Sequence, residues 1–257
     1  MAKQINATTK TTQRDTQILE ILEQNGPTSV HELCKRLYLS EATVRRSLSE
    51  LAHKELINRT HGGAELRKVL NRARPFSNRM FLNTAAKRDI ARKAASIVPN
   101  DCTVFLDQSS TCYYLAEALM KKRGLTVVTN NLEIALLLAQ TRFRVYLSGG
   151  FLNMESRLCT TGVDAHRIFE ETCADYTFFS TIALSADGVI SDVGREEINI
   201  RNAMLKHAKH KVFLCDSSKF DKTSSCIQCN LADMDMMISE ENTASVFADR
   251  FPGLKFL

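Results

Sequence analysis

The sequence predicts an α/β protein in two parts: a small helical module carrying a β-hairpin, and a larger Rossmann-like domain with a mainly parallel sheet. Residues 13–66 show apolar residues at helical spacing and then a short strand that reaches two adjacent glycines. From about residue 84 onward, short β-branched and aromatic runs alternate with helical patterns, as in sheets whose parallel strands are joined by helices. A length of 257 residues suits two such domains.

The N-terminal module is predicted to contain three helices. The first includes residues 18–22, and the second runs from Val30 to Leu37. The third begins after Ser40, whose hydroxyl suits the N-cap position because it can accept a hydrogen bond from a free N–H group of the first turn. Val44, Leu48 and Leu51 then form one apolar stripe along it.

Two short helices joined by a tight turn predict a helix-turn-helix, whose second helix enters the DNA major groove. Strands at residues 56–60 and 64–66, joined by Gly62-Gly63, add a wing. Arg46 lies roughly opposite the apolar stripe, and Thr43 and Arg45 flank it. The residues predicted to bind double-stranded operator DNA are Ser40, Thr43, Arg45, Arg46, Arg59, His61 and Gly62.

Paired arginines on a helix are more often a solvated surface than a DNA contact, so the charge distribution matters. Residues 1–80 contain 14 Lys and Arg against 8 Asp and Glu, a net charge of +6. The whole chain carries +5, so the remaining residues sum to −1. A basic module on a nearly neutral body is the charge distribution expected of a DNA-binding protein.

The second domain is predicted from seven strands and six helices in alternation. We expect strands at 103–106, 125–128, 144–147, 176–181, 211–215, 236–238 and 254–256. We expect helices at 85–98, 112–120, 132–140, 163–170, 197–209 and 243–250. This order predicts a sheet with helices on both faces, which binds ligands at the carboxyl ends of its strands.

Polar residues follow four of these strands. Any one group is adequately explained as loop and cap residues. Together, with a lysine among them and hydroxyls at the start of a helix, they predict a pocket for a small anion. The predicted effector-binding residues are Asp107, Ser109, Ser110, Thr111, Thr129, Asn130, Gly149, Gly150 and Lys219.

Several other classes of protein are disfavoured. No apolar run approaches the ~20 residues needed to span a bilayer, so we expect no membrane partner. Residues 1–12 are polar, so we expect them to form a disordered basic arm rather than a signal peptide, and we expect a cytoplasmic protein. The eight cysteines suit reduced thiols. Cys226 and Cys229 have the spacing of half a zinc site, but no second pair stands close in sequence, so we expect no metal and no cofactor. The predicted domains are 13–66 and 84–257, joined by a linker at 67–83.

The combination of motifs resembles the DeoR family of bacterial transcriptional regulators over nearly the whole chain. The matching segments are LSEATVRRSL, LINRTHGGA, LDQSST, LTVVTNNLEIA, LSGG, the TTG at Thr160–Gly162, the AD at Ala174–Asp175, and DSSKF. The resemblance implies a C-terminal domain similar to sugar-phosphate isomerases and deaminases. It also implies that this domain senses a phosphorylated sugar or related metabolite and forms a homodimer or homotetramer, and that the protein is a repressor of sugar or nucleoside catabolic genes.

Two positions depart from the family pattern. Ser47 stands where the family usually has aspartate, and we expect it to change packing or capping before DNA binding. Ser109 stands near a position where the family usually has glycine, and its Cβ narrows the space beside an anion while its hydroxyl adds a donor.

The alternative function is a sugar-phosphate isomerase or deaminase fused to a DNA-binding module. Its acid–base candidates are Asp107, Asp175, Asp187, Glu196, Glu197, Asp216 and Lys219.

Overall fold

The computed structural model describes residues 13–54, 56–66, 76–153, 158–240 and 245–257. The described residues form two compact units: the first extends to Leu66 and includes 77–83, and the second comprises Phe76 and the residues from Thr84 onward. The predicted arm and residues 67–75 of the predicted linker lie outside the described residues. The rest of that linker includes a short helix, α4 (Phe76–Arg79).

The first unit is a helix-turn-helix followed by a wing. Its elements are α1 (Gln13–Asn25), β1 (Thr28–Ser29), α2 (Val30–Leu37), α3 (Glu41–His53), β2 (Ile57–Thr60) and β3 (Gly63–Leu66). Its core contains the three apolar residues of the predicted stripe on α3, packed with Ile18 and Leu33 from the two preceding helices. The small module therefore has a core of its own.

The wing differs from the prediction at its glycines. Gly63 begins β3, so the turn residues are His61 and Gly62. A third strand, β1, pairs with β3 and gives the antiparallel order β1-β3-β2. At two residues β1 is too short to show a periodic pattern, which is why the sequence did not predict it.

The second unit contains the remaining elements of the described chain. Its helices are α5 (Thr84–Ile97), α6 (Ser110–Leu119), α7 (Leu132–Leu138), α8 (Val163–Glu170), α9 (Arg195–Lys206) and α10 (Ser245–Ala248). Its strands are β4 (Thr103–Leu106), β5 (Thr126–Thr129), β6 (Arg144–Leu147), β7 (Phe151–Leu152), β8 (Thr160–Thr161), β9 (Ala174–Phe179), β10 (Ala183–Leu184), β11 (Val189–Asp192), β12 (Ala208–Leu214), β13 (Cys226–Asn230), β14 (Met236–Ile238) and β15 (Lys255–Phe256).

Seven strands form one sheet in the order β15-β14-β12-β9-β4-β5-β6, and every pair in it is parallel. These are the seven predicted strands, and the predicted α/β class is confirmed. The bounds of β4, β6 and β14 coincide with the prediction, while β12 begins at Ala208, three residues before its predicted start. The carboxyl ends of all seven strands therefore share one edge of the sheet.

Helices cover this sheet in two groups. Phe105 on β4 and Val128 on β5 pack with Phe169 from α8 and Met204 from α9. Neighbouring side chains on a strand point to opposite faces, so Val104 lies on the other face. Helices α5, α6 and α7 pack consecutively against one another as the second group.

A small antiparallel sheet, β10-β11-β13, was not predicted. It packs on the main sheet through Ile190 and Cys229, which join Phe179 and Phe213 in a common core. Its strand β13 contains both Cys226 and Cys229, in a polar sequence that does not read as a strand. The sequence likewise did not predict the hairpin of β7 and β8.

Candidate functional site

The start of α3 is organised by Ser40 and Thr43. The Ser40 Oγ accepts a hydrogen bond from the Thr43 backbone N–H at 3.4 Å and lies 2.8 Å from the Thr43 hydroxyl. Ser40 is thus the N-cap that the sequence predicts, and it is exposed. Both hydroxyls stand at the end of the helix where backbone N–H groups attract anions such as DNA phosphates.

The paired arginines of α3 both point to solvent. Arg45 lies 3.1 Å from Glu41 and Arg46 lies 3.4 Å from Glu50, each one helical turn away. The Arg46 side chain remains 81% exposed. Exposed i,i+4 ion pairs are worth only about 0.3–0.5 kcal/mol, so both guanidinium groups are available to DNA at little cost.

The wing presents the other predicted DNA residues. Arg59 on β2 and His61 in the turn are exposed. Gly62 has a φ of +85° with no atom within 4 Å of a built Cβ, so the backbone conformation alone favours glycine there. At Gly63 a built Cβ would lie 2.3 Å from the Thr28 carbonyl oxygen, so glycine is needed for β1 to pair with β3.

Ser47 is fully buried on α3. Its hydroxyl has no hydrogen-bond partner among the described residues. Ser47 therefore contributes to packing inside the small module, as its place beside the apolar stripe predicts, and does not belong to the exposed face of α3.

In the second unit, the predicted effector residues lie after β4, β5, β6 and β12, at the carboxyl edge of the sheet. Hydrogen bonds join these strand ends. The Asn131 side chain donates to the Gln108 carbonyl at 3.2 Å, and the Asn130 side chain donates to the Thr160 carbonyl at 3.1 Å. The hydroxyls of Thr160 and Ser148 are 2.6 Å apart.

Asp107 belongs to a buried charge triad. Its carboxylate accepts from the Arg201 Nε at 2.9 Å, and Arg201 Nη1 lies 2.9 Å from Asp192. Burial would lower the pKa of Arg201, but the two carboxylates raise it above its ordinary value. Asp107 also accepts from the Ser109 N–H at 2.9 Å. It therefore holds the loop after β4 in place and has little capacity left for a ligand.

Several other predicted residues also have local roles. The Ser109 hydroxyl caps α6 by accepting from the Cys112 N–H at 3.1 Å, and the Thr129 hydroxyl accepts from the Asn131 N–H at 3.1 Å. Gly150 has a φ of +98°, and a built Cβ would lie 2.3 Å from the Thr161 carbonyl oxygen. Gly150 is thus required by the packing of the adjacent hairpin, whereas Gly149 is open apart from Asp164.

Three buried side chains at this edge have polar atoms without a hydrogen-bond partner among the described residues. These atoms are the Gln108 Nε2 and Oε1, the Thr111 hydroxyl and the Asn130 Oδ1. Each of these residues is at most 1% exposed. A buried polar atom left unbonded costs about 1–3 kcal/mol, so a ligand that supplied the missing bonds would be favoured.

Positive charge lies at the same edge of the sheet, after β12. The Lys219 Nζ donates to the Ser180 hydroxyl at 2.6 Å and lies 3.2 Å from Asp216. Burial would raise the pKa of Asp216, but the charge of Lys219, a hydrogen bond from Ser218 and the charge of Lys87 lower it to about 2. Lys219 and Lys87 therefore bring two positive charges to the end of β12, beside the carboxylates of Asp216 and Glu240.

A cavity of about 510 Å³ lies between the start of α8 and the first half of α9. Its lining residues are Gly162, Val163, His166, Glu196, Asn199, Ile200 and Asn202. None of the predicted effector residues lines it. Gly162 is nevertheless near Asn130 in space, because Thr160, two residues before Gly162, donates its backbone N–H to the Asn130 carbonyl oxygen at 2.9 Å.

Sequence reasoning missed Gln108, Lys87 and Arg201. Gln108 stands inside the predicted loop, and its unbonded amide atoms distinguish it from the equally buried Asp107 and Ser109. Lys87 and Arg201 lie on helices whose patterns read as amphipathic, where a charged residue is expected to face solvent. Their burial is visible only in the folded chain.

Two family models match the chain. The DeoR-like helix-turn-helix domain matches residues 14–69, and the DeoR C terminal sensor domain matches residues 82–241. The chain belongs to the DeoR family.

Curated relatives are similar over most of the chain. The glycerol-3-phosphate regulon repressor of Escherichia coli (strain K12) is 32% identical over 84% of this chain and 85% of its own length. The L-fucose operon activator of Haemophilus influenzae is 34% identical over 92% and 91%. The transcriptional repressor CsqR of Escherichia coli is 30% identical over 89% and 87%. These relatives are named as regulators, so this chain is a DNA-binding transcriptional regulator rather than the alternative enzyme.

Solved structures are more distant. Ribose 5-phosphate isomerase A from Methanocaldococcus jannaschii is 15% identical with a TM-score of 0.39, over 52% of this chain and 53% of that one. The eIF2B delta chain from Chaetomium thermophilum is 15% identical with a TM-score of 0.48, over 79% and 65%. With both TM-scores below 0.5, we draw no conclusion about function from either structure.

Among the described residues, no three His, Cys, Asp or Glu side chains come together as a metal site. None of the described helices is both long and apolar enough to span a membrane.

Proposed function

We propose that this protein is a repressor of a catabolic operon whose DNA binding is controlled by a phosphorylated sugar or polyol. The exposed face of α3, with Thr43, Arg45 and Arg46, would read operator bases in the major groove, while Arg59 and His61 of the wing would contact the backbone or minor groove. The named relatives support this class of function, since one is a glycerol-3-phosphate regulon repressor and another an L-fucose operon activator.

The observation that carries the effector site is the group of buried, unbonded polar atoms of Gln108, Thr111 and Asn130 at the carboxyl edge. Hydroxyl groups of a sugar or polyol would supply the missing hydrogen bonds. Lys219 and Lys87 lie at the same edge and would attract the phosphate. Asp107 would act indirectly, by fixing the loop that carries Gln108.

This edge is closed in the present structure, because these residues are almost inaccessible to solvent. Ligand entry would therefore require the edge to open. A ligand that binds one of two conformations of the protein more tightly increases the population of that conformation. If the two conformations differ in DNA affinity, this population shift would change operator binding.

The DNA part is tested with Arg46→Ala. A duplex selected by the wild-type protein from a randomised pool serves as the operator. Because one bidentate arginine–guanine contact is worth about 1–3 kcal/mol of discrimination, the variant should bind this duplex about tenfold more weakly or worse. It should also discriminate less against single-base changes, measured by fluorescence anisotropy at fixed salt. Arg88→Ala, an exposed arginine of the second unit, is the matched control. Unchanged affinity in Arg46→Ala would place the recognition surface elsewhere.

The effector part is tested by thermal shift of the full-length protein. Glycerol 3-phosphate and a panel of hexose and pentose phosphates are compared with their unphosphorylated counterparts and with inorganic phosphate. A ligand at a hundredfold excess over its dissociation constant adds about 2.7 kcal/mol to the native state. We expect one phosphorylated compound to raise the melting temperature and the unphosphorylated counterpart to do so far less.

Variants locate the site. Lys219→Met removes a charge and Thr111→Val removes an unbonded hydroxyl, so each should abolish or sharply reduce the ligand-dependent shift. Lys255→Met, at an exposed position on β15, should leave that shift intact. A shift retained in both Lys219→Met and Thr111→Val would move the site away from the carboxyl edge, with the cavity beside Gly162 the next place to test.

A further inference from the structure

One side of the second unit exposes an unusual group of apolar side chains. Among the large apolar residues that the structure leaves exposed, six lie on or beside β6. Phe151 is 79% exposed and Val163 is 86% exposed. We define the β6 surface by these six residues: Leu136, Tyr146, Leu147, Phe151, Leu152 and Val163.

The elements that carry these six residues are neighbours in the fold. Helix α7, which carries Leu136, packs beside β6. The hydroxyls of Ser148 and Thr160 join the end of β6 to the hairpin of β7 and β8. The ring of Phe151 lies 3.4 Å from a Cβ built on Gly162, next to Val163. An apolar surface of this kind on a soluble protein marks a place of interaction.

Strand β6 is also an edge strand. In the described part of the chain it pairs with β5 alone, so the backbone N–H and C=O groups on its other side have no strand partner. Tyr146 and Leu147 point to opposite faces of the sheet, yet both are about half exposed. Proteins normally protect such edges with charges or very short strands. The opposite edge has that protection, because β15 is two residues long and carries the exposed Lys255.

We propose that the β6 surface is the interface with a second copy of this chain. A two-fold axis perpendicular to the sheet at this edge would pair β6 with β6 of the second copy in antiparallel fashion. The same surface would then serve on both sides, as in an isologous dimer. The unpaired backbone groups of β6 in one copy would then bind those of β6 in the other. The exposed apolar side chains of the two copies would pack against one another.

Charge supports this occupant over an unrelated partner. Arg142 and Arg144 are exposed at the amino end of β6. Asp164 is exposed at its carboxyl end, where its Cβ lies 3.8 Å from a Cβ built on Gly149. Antiparallel pairing places the amino end of one strand against the carboxyl end of the other. The arginines of one copy would therefore approach Asp164 of the other, and no arginine would face itself.

The arrangement also suits DNA recognition. One chain supplies one recognition helix, whereas helix-turn-helix proteins commonly bind two half-sites as dimers. An interface in the second unit would join two copies and leave α3 and the wing of each free for DNA.

The test is the mass and dissociation constant of the full-length protein by sedimentation over a range of concentrations. Leu147→Lys places a charge at the centre of the surface and should raise the dissociation constant about tenfold or more. Ile227→Lys is the matched control, since Ile227 is a 70% exposed apolar residue on β13, another edge strand. It should associate like the wild type. Circular dichroism and melting temperature verify that both variants are folded.

Charge reversal distinguishes a contact between copies from a local effect. Arg142→Glu and Asp164→Lys should each weaken association about threefold or more, and the double variant should return to near the wild-type value, because both contacts are restored by symmetry. A wild-type protein that is monomeric at tens of micromolar would overturn the proposal and leave the surface to another partner. So would normal association of Leu147→Lys, or a double variant no better than the two single ones.

Discussion

Two serines on α3 show how the same residue type has opposite effects in different places. Ser40 is exposed at the N-cap, and its hydroxyl satisfies a backbone N–H that would otherwise be free. Ser47, seven positions later, is fully buried with a hydroxyl that no described residue binds. Sequence reasoning placed both correctly, since capping and helical periodicity are local properties. The absence of a partner for Ser47 depends on the packed core and required the structure.

These environments predict opposite effects of alanine. Ser47→Ala removes an unbonded buried hydroxyl and adds helix propensity, so it should raise the free energy of unfolding of the first unit by about 1 kcal/mol. Ser40→Ala removes the cap and should lower that free energy by about 1 kcal/mol. Urea denaturation followed by circular dichroism measures both. A destabilised Ser47→Ala would mean that its hydroxyl is bonded, for example through water.

At the scale of elements, segments with a clear apolar pattern could be predicted and most short or polar ones could not. Six of the seven strands of the parallel sheet contain at least three consecutive aliphatic, aromatic or β-branched residues, and the short β15 was predicted from Leu254 and Phe256 on either side of Lys255. Strand β1 consists of two residues and forms because it pairs with β3 beside Gly63. That pairing joins residues far apart in the sequence, so no local pattern predicts it. Strand β13 contains Gln228 and Asn230, which give no strand signal. The site shows the same limit. The strand-end loops could be located from the sequence. Lys87 and Arg201 could not, because both lie on helices and only the folded chain shows that they are buried.

The two glycines of the wing provide a test at this scale. Gly63→Ala puts a methyl group against the Thr28 carbonyl and should cost about 2 kcal/mol or more, as overpacking does. In Gly62→Ala the added methyl group meets open space. The left-handed backbone at this position should lower the free energy of unfolding by about 1 kcal/mol. Chemical denaturation of the two variants should therefore rank Gly63→Ala as the less stable. The reverse order would show that β1 moves aside at little cost.

At the scale of the whole molecule, the proposed DNA-binding and effector-binding sites belong to different units. The excess positive charge lies in the first 80 residues, with a net of +6 against +5 for the chain. The unbonded polar atoms of Gln108, Thr111 and Asn130, together with Lys87 and Lys219, lie in the other unit. Control of one function by the other must therefore be expressed as a difference in free energy between states of the whole protein.

Such coupling is reciprocal. If the effector weakens operator binding by a given factor, saturating operator must weaken effector binding by the same factor. Isothermal titration of the phosphorylated ligand, with and without the selected duplex, measures this directly. A mutated duplex that is not bound serves as the control. Equal ligand affinity in both titrations would show that the metabolite does not control DNA binding.

Cys112 gives access to the opening of the carboxyl edge without any added label. Its thiol is fully buried at the start of α6 and donates to the Phe178 carbonyl, and burial raises its pKa well above the ordinary value. Alkylating reagents attack the thiolate, so this cysteine can react only when the edge opens. Exposed Cys173 would react at once and provide an internal reference. The ratio of the two alkylation rates, followed by mass spectrometry, would report how often the edge opens and whether a bound metabolite holds it shut.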